Sequence, residues 1–519
     1  MTHETVTTQF LMASTLKKFS NKVFAKMEDA EYTYYDVHIN SNRVANGIQA
    51  LGYGPGDRVA VAIPNSMEIV YSTYGIFKAG ATAVGINMLV GDEDLLFILQ
   101  DAKVKMALVD LSVQERIMKM RDRLQDLKTI VTVGGKTSGD IIAWDKFLSG
   151  QKTQDPPFTA KPDDDALVVY TGGTTGTPKG VIHSQASFYY LLVAQSLAYN
   201  LLPSDTIMLM TPLAHAAGAI MYLGCVNGVR FIIEKKADLF RLLNLIRDEK
   251  VTVMFLVPTI IYILLDVLKG GDYDLSSLRM LLYGAAPMSE GRLAEAMERF
   301  GPILVQIYGQ TECPQAVTTL TMEDHIRAMK HTHLLSSCGR PCQMVAVRIV
   351  DDGGKDLPEG KAGEILVKAP FVMKGYLNHP EMTAATVVDG WLHTGDMGKL
   401  DEEGYLYLVD RKKDMIITGA FNVYSASVEN VISRHPRVKQ VAVIGVPDEK
   451  WGEAVTAVVV ADGDIDEKEI LDFCRGKLNK YELPKNIVFQ TQIPVTAVGK
   501  IDKKTLRSPF WEGKSRGVN

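Results

Sequence analysis

Tyr170-Thr171-Gly172-Gly173-Thr174-Thr175-Gly176-Thr177-Pro178-Lys179-Gly180 follows the apolar, β-branched run Ala166-Leu167-Val168-Val169. The run reads as a buried strand. The segment after it carries four threonines, one lysine and no acidic residue. Glycines let backbone N–H groups converge on an anion, hydroxyls add donors, and the lysine adds charge. Strand and loop together therefore predict a phosphate site on an α/β scaffold. The loop is not a Walker A sequence, because Lys179 is followed by Gly180 and not by Ser or Thr.

Working outward, strands and helices alternate. After the turn Gly54-Pro55-Gly56, residues 57–63 read as a strand, 68–79 as a helix, and 81–86 and 107–110 as strands. The pattern recurs at 206–210, 252–257 and 280–283. It predicts α/β layers with substantially parallel sheets. From about residue 346, short strands at 347–350 and 363–367 are separated by turns such as Asp351-Asp352-Gly353-Gly354, which predicts a small β-rich subdomain. Asp410-Arg411-Lys412-Lys413-Asp414 marks a break. Beyond it, a helix at 427–434, strands at 438–446 and 453–460, and a helix at 468–478 predict a compact α+β unit. The expected organisation is a large N-terminal α/β domain with its β-rich subdomain over 1–409, then an α+β C-terminal domain over 410–519.

The chain has 519 residues, enough for several such units. Hydrophobic content of 46% and charged content of 23% supply an ordinary globular core. A net charge of −5 gives no basic footprint, so no nucleic-acid partner is expected. Five cysteines, with Cys338 and Cys342 the one close pair, predict reduced thiols in a cytoplasmic protein and no zinc site. The polar start Met1-Thr2-His3-Glu4-Thr5 predicts no secretory leader. The apolar stretch 251–268 is broken by Pro258 and carries Asp266, so it reads as strand, turn and helix, with no stable membrane insertion.

Five further segments carry chemistry, in this order: Tyr283-Gly284-Ala285-Ala286-Pro287, Tyr308-Gly309-Gln310-Thr311-Glu312, Trp391-Leu392-His393-Thr394-Gly395-Asp396, Asp410-Arg411-Lys412-Lys413-Asp414 and Pro494-Val495-Thr496-Ala497-Val498-Gly499-Lys500. With the phosphate loop they resemble the adenylate-forming superfamily of acyl-CoA synthetases, peptide-synthetase adenylation domains and beetle luciferases. The chain as a whole is most similar to the acyl-CoA synthetases.

That resemblance implies ATP, Mg²⁺ and coenzyme A as cofactors, a small carboxylic acid as substrate, and allows a homodimer. It places Thr171, Gly172, Gly173, Thr174, Thr175, Gly176, Thr177 and Lys179 on the phosphates, and Gly284, Ala285 and Ala286 against the base. Tyr308 would stack on adenine, Gly309 would border nucleotide and acyl group, Thr311 would reach the α-phosphate, and Glu312 would bind the metal. Asp396 would accept the ribose hydroxyls and Arg411 would add a second nucleotide contact. Lys413 would be the hinge of a mobile C-terminal lid. Gly419, Ala420 and Phe421 would line the thiol tunnel. Lys500 would stabilise charge developing at the α-phosphate, with Thr174, Glu312 and His215 also in catalysis. In the implied reaction, a carboxylate and ATP give an acyl-adenylate and pyrophosphate, and a thiol then displaces AMP.

Several positions depart from the family pattern. Thr171-Gly172-Gly173 stands where Thr-Ser-Gly is usual, Ala420 replaces a glycine, and Ser425 replaces a proline. In Pro212-Leu213-Ala214-His215-Ala216-Ala217-Gly218-Ala219, Ala214 takes the place of a large aromatic residue. Ala214, His215, Ala219, Tyr283 and Gly309 are the expected acyl contacts. Small residues there leave room for a long or bulky acid, while simple helix packing accounts for alanines equally well. His215 gates the tunnel or is a buried structural histidine. The tail 506–514 resembles bacterial fatty-acid enzymes. The favoured reading is a medium- or long-chain fatty-acid–CoA ligase. Alicyclic or aromatic acid ligation, loading of a carrier protein, a luciferase-type monooxygenase and a non-catalytic nucleotide or fatty-acid binder stand as alternatives.

Overall fold

The structure is a computed structural model that describes residues 6–171, 178–214, 216–236, 238–286, 288–411, 414–418, 421–495 and 501–512, without the side chains of 216, 411 and 422. Four sheets organise it. The phosphate-loop strand Asp165–Thr171 lies in an eight-stranded sheet. Six of its strands are mutually parallel: Asp165–Thr171, Thr82–Gly85, Arg58–Ala62, Met106–Asp110, Thr129–Val133 and Ile141–Ala143. At one edge the direction reverses, where Lys179–Ser184 pairs antiparallel with Asp165–Thr171, and Gly375–Tyr376 pairs antiparallel with Lys179–Ser184. The loop is thus the connection of a hairpin. Its first strand is only half enclosed: Ala166 and Val168 are buried, while Leu167 and Val169 are partly exposed. The expected fully buried strand is corrected to one with a single dry face, as suits the margin of the parallel region.

The nine-stranded sheet has a parallel centre that includes Thr206–Leu209, Val253–Leu256, Met280–Gly284 and Leu304–Gln310. It too ends in an antiparallel hairpin, Leu304–Gln310 with Cys313–Leu320. Local chemistry sets the connecting helices. Met67–Ala79 stops at Gly80, whose φ of 75° is the left-handed cap that glycine adopts without cost. Pro258 occupies the first turn of Pro258–Leu268, where its missing N–H is no loss.

The third sheet is antiparallel and holds Ala346–Val350, Gly363–Lys368, Trp391–Leu400 and Leu406–Arg411. One apolar core runs through all three sheets and includes Val61, Val181, Val253, Val305 and Ile365. The fourth sheet contains Ile416–Thr418, Phe421–Val423, Val438–Asp448, Gly452–Ala461 and Asn486–Phe489, and packs the helices Ser425–Ile432 and Glu467–Cys474 around its own core of Ile416, Val443, Val459 and Ile470. A large N-terminal α/β region and a smaller C-terminal one result. The strand Leu406–Arg411 belongs to the third sheet up to its last residue. Among the described residues no helix is long and apolar enough to cross a membrane.

Candidate active site

Hairpins from three sheets meet at one place. In the first, Thr171 faces Lys179 and Tyr170 faces Gly180 across the ladder that carries the phosphate loop. In the second, Gln310 pairs with Cys313, so Thr311 and Glu312 form the two-residue turn. A bulge precedes that turn between Tyr308 and Gln310. Gly309 is required there, since a Cβ would lie 2.3 Å from the backbone N of Gln315. In the third, Asp396 lies on Trp391–Leu400 with Arg411 as its backbone partner.

Side chains tie the hairpins together. The Tyr308 hydroxyl donates to Asp396 Oδ2 at 2.7 Å, joining the second sheet to the third. Burial, and then the Asp396 charge, hold the Tyr308 phenol well above its usual pKa, so it stays a donor. Gln310 Nε2 donates to the Thr394 carbonyl at 3.2 Å, and the Thr394 hydroxyl receives the Asp396 N–H at 3.1 Å. The second sheet is bound to the first through residues 373–377. Lys374 N and Leu377 N donate to the carbonyls of Ile182 and Gly180, both at 2.8 Å, and Met373 N donates to the Glu312 carbonyl at 2.7 Å. The Tyr376 hydroxyl donates to Glu312 Oε1 at 2.7 Å, and Lys179 Nζ stands 6.0 Å from the centre of the Tyr376 ring. Burial first, then Glu312, raise the Tyr376 pKa. His183 Nε2 lies 2.9 Å from the Thr311 carbonyl.

The structure therefore brings Lys179, Tyr308, Gly309, Thr311, Glu312 and Asp396 together. Gly172, Gly173, Thr174, Thr175, Gly176, Thr177, His215, Lys413, Gly419, Ala420 and Lys500 lie outside the described residues. At Gly284, expected to lie against the base, a Cβ would lie 2.3 Å from the Ile307 carbonyl oxygen, so close strand packing also demands glycine. The next residue, Ala285, is exposed and has a φ of 67°, strain of the kind that concentrates at functional sites. Tyr283 was read as lining the acyl pocket. Its side chain is fully enclosed, with its hydroxyl 2.9 Å from His325 Nε2, so it is a core residue. Ala214 and Ala219 are partly exposed.

Sequence reading missed Tyr376 and His183, and also an aromatic patch in the C-terminal region. There Phe421, half exposed, stacks on Tyr481 with centroids 4.5 Å apart and planes 7° apart. Lys485 Nζ sits 4.3 Å from the Trp451 ring centre and 3.3 Å from Thr418 Oγ1. Lys/Trp and aromatic pairs at 451, 481 and 485 are visible in sequence, but only folding places them beside Phe421.

Among the described residues no group of three or more His, Cys, Asp and Glu could cage a metal. A single carboxylate at Glu312, held by the Tyr376 hydroxyl, has the chemistry of a ligand for an ion such as Mg²⁺, which takes most of its oxygens from elsewhere.

Residues 12–377 match the family described as AMP-binding enzyme, and residues 427–500 match the AMP-binding enzyme C-terminal domain. The chain belongs to this family of adenylate-forming enzymes. Among curated relatives, the medium/long-chain-fatty-acid–CoA ligase FadD8 of Mycobacterium tuberculosis is 36% identical, over 98% of this chain and 91% of its own. The long-chain-fatty-acid–CoA ligase FadD13 of the same species is 35% identical, over 93% of this chain and 94% of its own. Among solved structures, the amide bond synthetase McbA from Marinactinospora thermotolerans superposes with a TM-score of 0.87 at 32% identity, over 96% of this chain and 99% of that one.

Proposed function

We propose that the protein is an ATP-dependent, AMP-forming carboxylic acid:CoA ligase acting on medium- or long-chain fatty acids. The observation that carries this is the convergence, on three hairpins of three sheets, of the hydrogen-bonded pairs Tyr308–Asp396 and Tyr376–Glu312, with Lys179 Nζ 6.0 Å from the Tyr376 ring. Phosphate, metal and ribose ligands are what such a set offers together.

In the first step a carboxylate oxygen attacks the α-phosphorus of ATP, and the bond to pyrophosphate breaks. Residues 171–179 hold the phosphates, Thr311 the α-phosphate, Asp396 the ribose, and Lys500 the charge that grows on the phosphoryl oxygens. Glu312, oriented by the Tyr376 hydroxyl, would hold Mg²⁺, which would neutralise phosphate charge. In the second step the thiol sulfur attacks the acyl carbon and AMP leaves with the bonding pair. The boundary at 409/410, a hinge at Lys413 and a tunnel at Gly419, Ala420 and Phe421 complete the reading, with rotation of the C-terminal lid between steps. The exposed Phe421–Tyr481 stack, with Lys485 beside Trp451, suits an adenine bearing phosphates and favours CoA over a carrier protein as acceptor. The fatty-acid relatives and the small residues at 214 and 219 favour an apolar chain.

The test is pyrophosphate release over a panel of acetate, hexanoate, palmitate, cyclohexanecarboxylate, benzoate and amino acids, with and without CoA. CoA-dependent turnover peaking at hexanoate or palmitate supports the reading. Turnover confined to cyclic acids or amino acids, or a thioester formed only on carrier protein, overturns it.

A further inference from the structure

We propose that His183 is a positioning residue for acyl-adenylate formation: its ring N–H fixes the Thr311–Glu312 turn against the strand that leaves the phosphate loop. The inference rests on the nucleotide and metal roles proposed above for that turn.

Thr311 offers His183 a carbonyl oxygen, which only accepts, so Nε2 must carry the hydrogen. That assigns the tautomer and leaves Nδ1 as an acceptor. The side chain is 1% exposed, and Nδ1 has no hydrogen-bond partner among the described residues. A histidine placed here for packing alone is a poor choice. Leucine or phenylalanine would fill the space without a buried, unpaired nitrogen. What histidine supplies and they do not is the donor to Thr311.

The strand Lys179–Ser184 acts as a ruler. Side chains alternate along it, so Lys179 and His183 share a face, about 13 Å apart at the usual rise per residue. His183 grips the Thr311 carbonyl. Tyr376, whose backbone pairs with Val181 on the same strand, grips the Glu312 carboxylate. The turn is therefore referenced twice to the element that bears Lys179. A two-residue hairpin turn held at a single point could tilt about it, and tilting would move the carboxylate relative to the phosphates.

The experiment compares His183→Phe, which fills the volume without the donor, with His183→Gln, which returns an N–H at similar reach. Calorimetric titration of the intact protein with ATP, in the presence and absence of Mg²⁺, gives a readout independent of turnover. Pyrophosphate release and thioester synthesis from a supplied acyl-adenylate complete the set. The expected result for His183→Phe is loss of most of the Mg²⁺-dependent gain in ATP affinity and a fall in pyrophosphate release of roughly 10- to 100-fold. The KM for acid and the thioester half-reaction should stay within about twofold, and His183→Gln should recover most of the loss. Equal damage to both half-reactions by both variants would show a merely structural histidine and overturn the proposal, as would an unaltered His183→Phe enzyme. Should His183→Phe fail to fold, His183→Gln and Tyr376→Phe decide: a glutamine variant that loses the Mg²⁺-dependent gain overturns the donor argument, and one that keeps it while Tyr376→Phe loses it upholds it. If the wild type proves inactive with every acid yet binds ATP more tightly with Mg²⁺, and His183→Phe abolishes that gain, the ligase reading fails while the positioning inference stands.

Discussion

Tyr308→Phe isolates one bond between two sheets. The substitution keeps the ring and removes the hydroxyl that donates to Asp396 Oδ2 at 2.7 Å. Hydrogen bonds to a charged partner contribute about 1.5–3 kcal/mol. Asp396 has other interactions and is not stranded, so the lower end, about 1.5 kcal/mol, applies. If Asp396 holds the ribose, that energy orients a nucleotide ligand, and 1.4 kcal/mol corresponds to tenfold in affinity. The KM for ATP should rise about tenfold. The KM for acid and the thioester half-reaction should hardly change. A second substrate sharpens the test. With 2′-deoxy-ATP the carboxylate has one hydroxyl fewer to orient, so the penalty of Tyr308→Phe should shrink. The two effects should also be non-additive with Asp396→Ala, since that variant removes the acceptor. The assay is initial-rate pyrophosphate release for the four proteins against both nucleotides. A tenfold penalty that persists unchanged in the Asp396→Ala background would refute the reasoning. So would a loss of thermal stability without any change in the KM for ATP, because the bond would then serve only to join the sheets.

Other outcomes follow from the same geometry. Lys500→Ala should abolish pyrophosphate release yet preserve thioester synthesis from supplied acyl-adenylate; similar loss of both half-reactions would remove Lys500 from its proposed role. Ser425 donates its N–H to Asp410 Oδ2 and accepts from Lys503 Nζ at 2.7 Å, linking the first helix of the C-terminal region to the end of the third sheet. Because Ser425 is the first residue of its helix, proline fits the backbone, and it deletes these bonds together with the one the Ser425 hydroxyl donates to Asp410 Oδ1 at 3.2 Å. Ser425→Pro should change the ratio of the two half-reaction rates, measured separately, and an unaltered ratio would show that this bond does not bias the lid. Lys78, fully enclosed beside Asn42 and His38, has its pKa pushed down to about 7 by burial, against an ordinary 10.5. Between those values the unfolded chain binds more protons, so Lys78 contributes stability that grows as pH rises from about 7 and is lost as pH falls through it. Melting temperatures of the wild type and Lys78→Met across pH 6–10 should show this slope in the wild type alone.

Much of this molecule was legible because its parallel strands are short, continuous apolar runs. The reading of 57–63 and 107–110 as strands matches Arg58–Ala62 and Met106–Asp110 to within a residue or two. Element ends were less legible where side-chain bonds or backbone turns set them. The helix expected over 468–478 stops at Cys474, since Arg475 is extended and Gly476 has a φ of 78°. The helix expected from residue 427 begins at Ser425, whose N–H is held by Asp410.

The site divides in the same way. Residues proposed to face ligands sit in short contiguous segments at strand ends and turns, where composition betrays them. Residues that hold the loops relative to each other act across long separations: Tyr376 reaches Glu312 from 64 positions away, and His183 reaches Thr311 from 128. In a strand pattern His183 is only an interior position, so nothing local marks it. Tyr283 is the instructive opposite, because its strand Met280–Gly284 is buried on both faces. Leu281 and Tyr283 fall in one core cluster, while Met280 and Leu282 fall in the other. An aromatic residue in phase with Leu281 points away from whatever Gly284 and the turn after it present. Adjacency to a motif made Tyr283 look like a pocket residue, and its full enclosure, with its hydroxyl on His325, places it in the core.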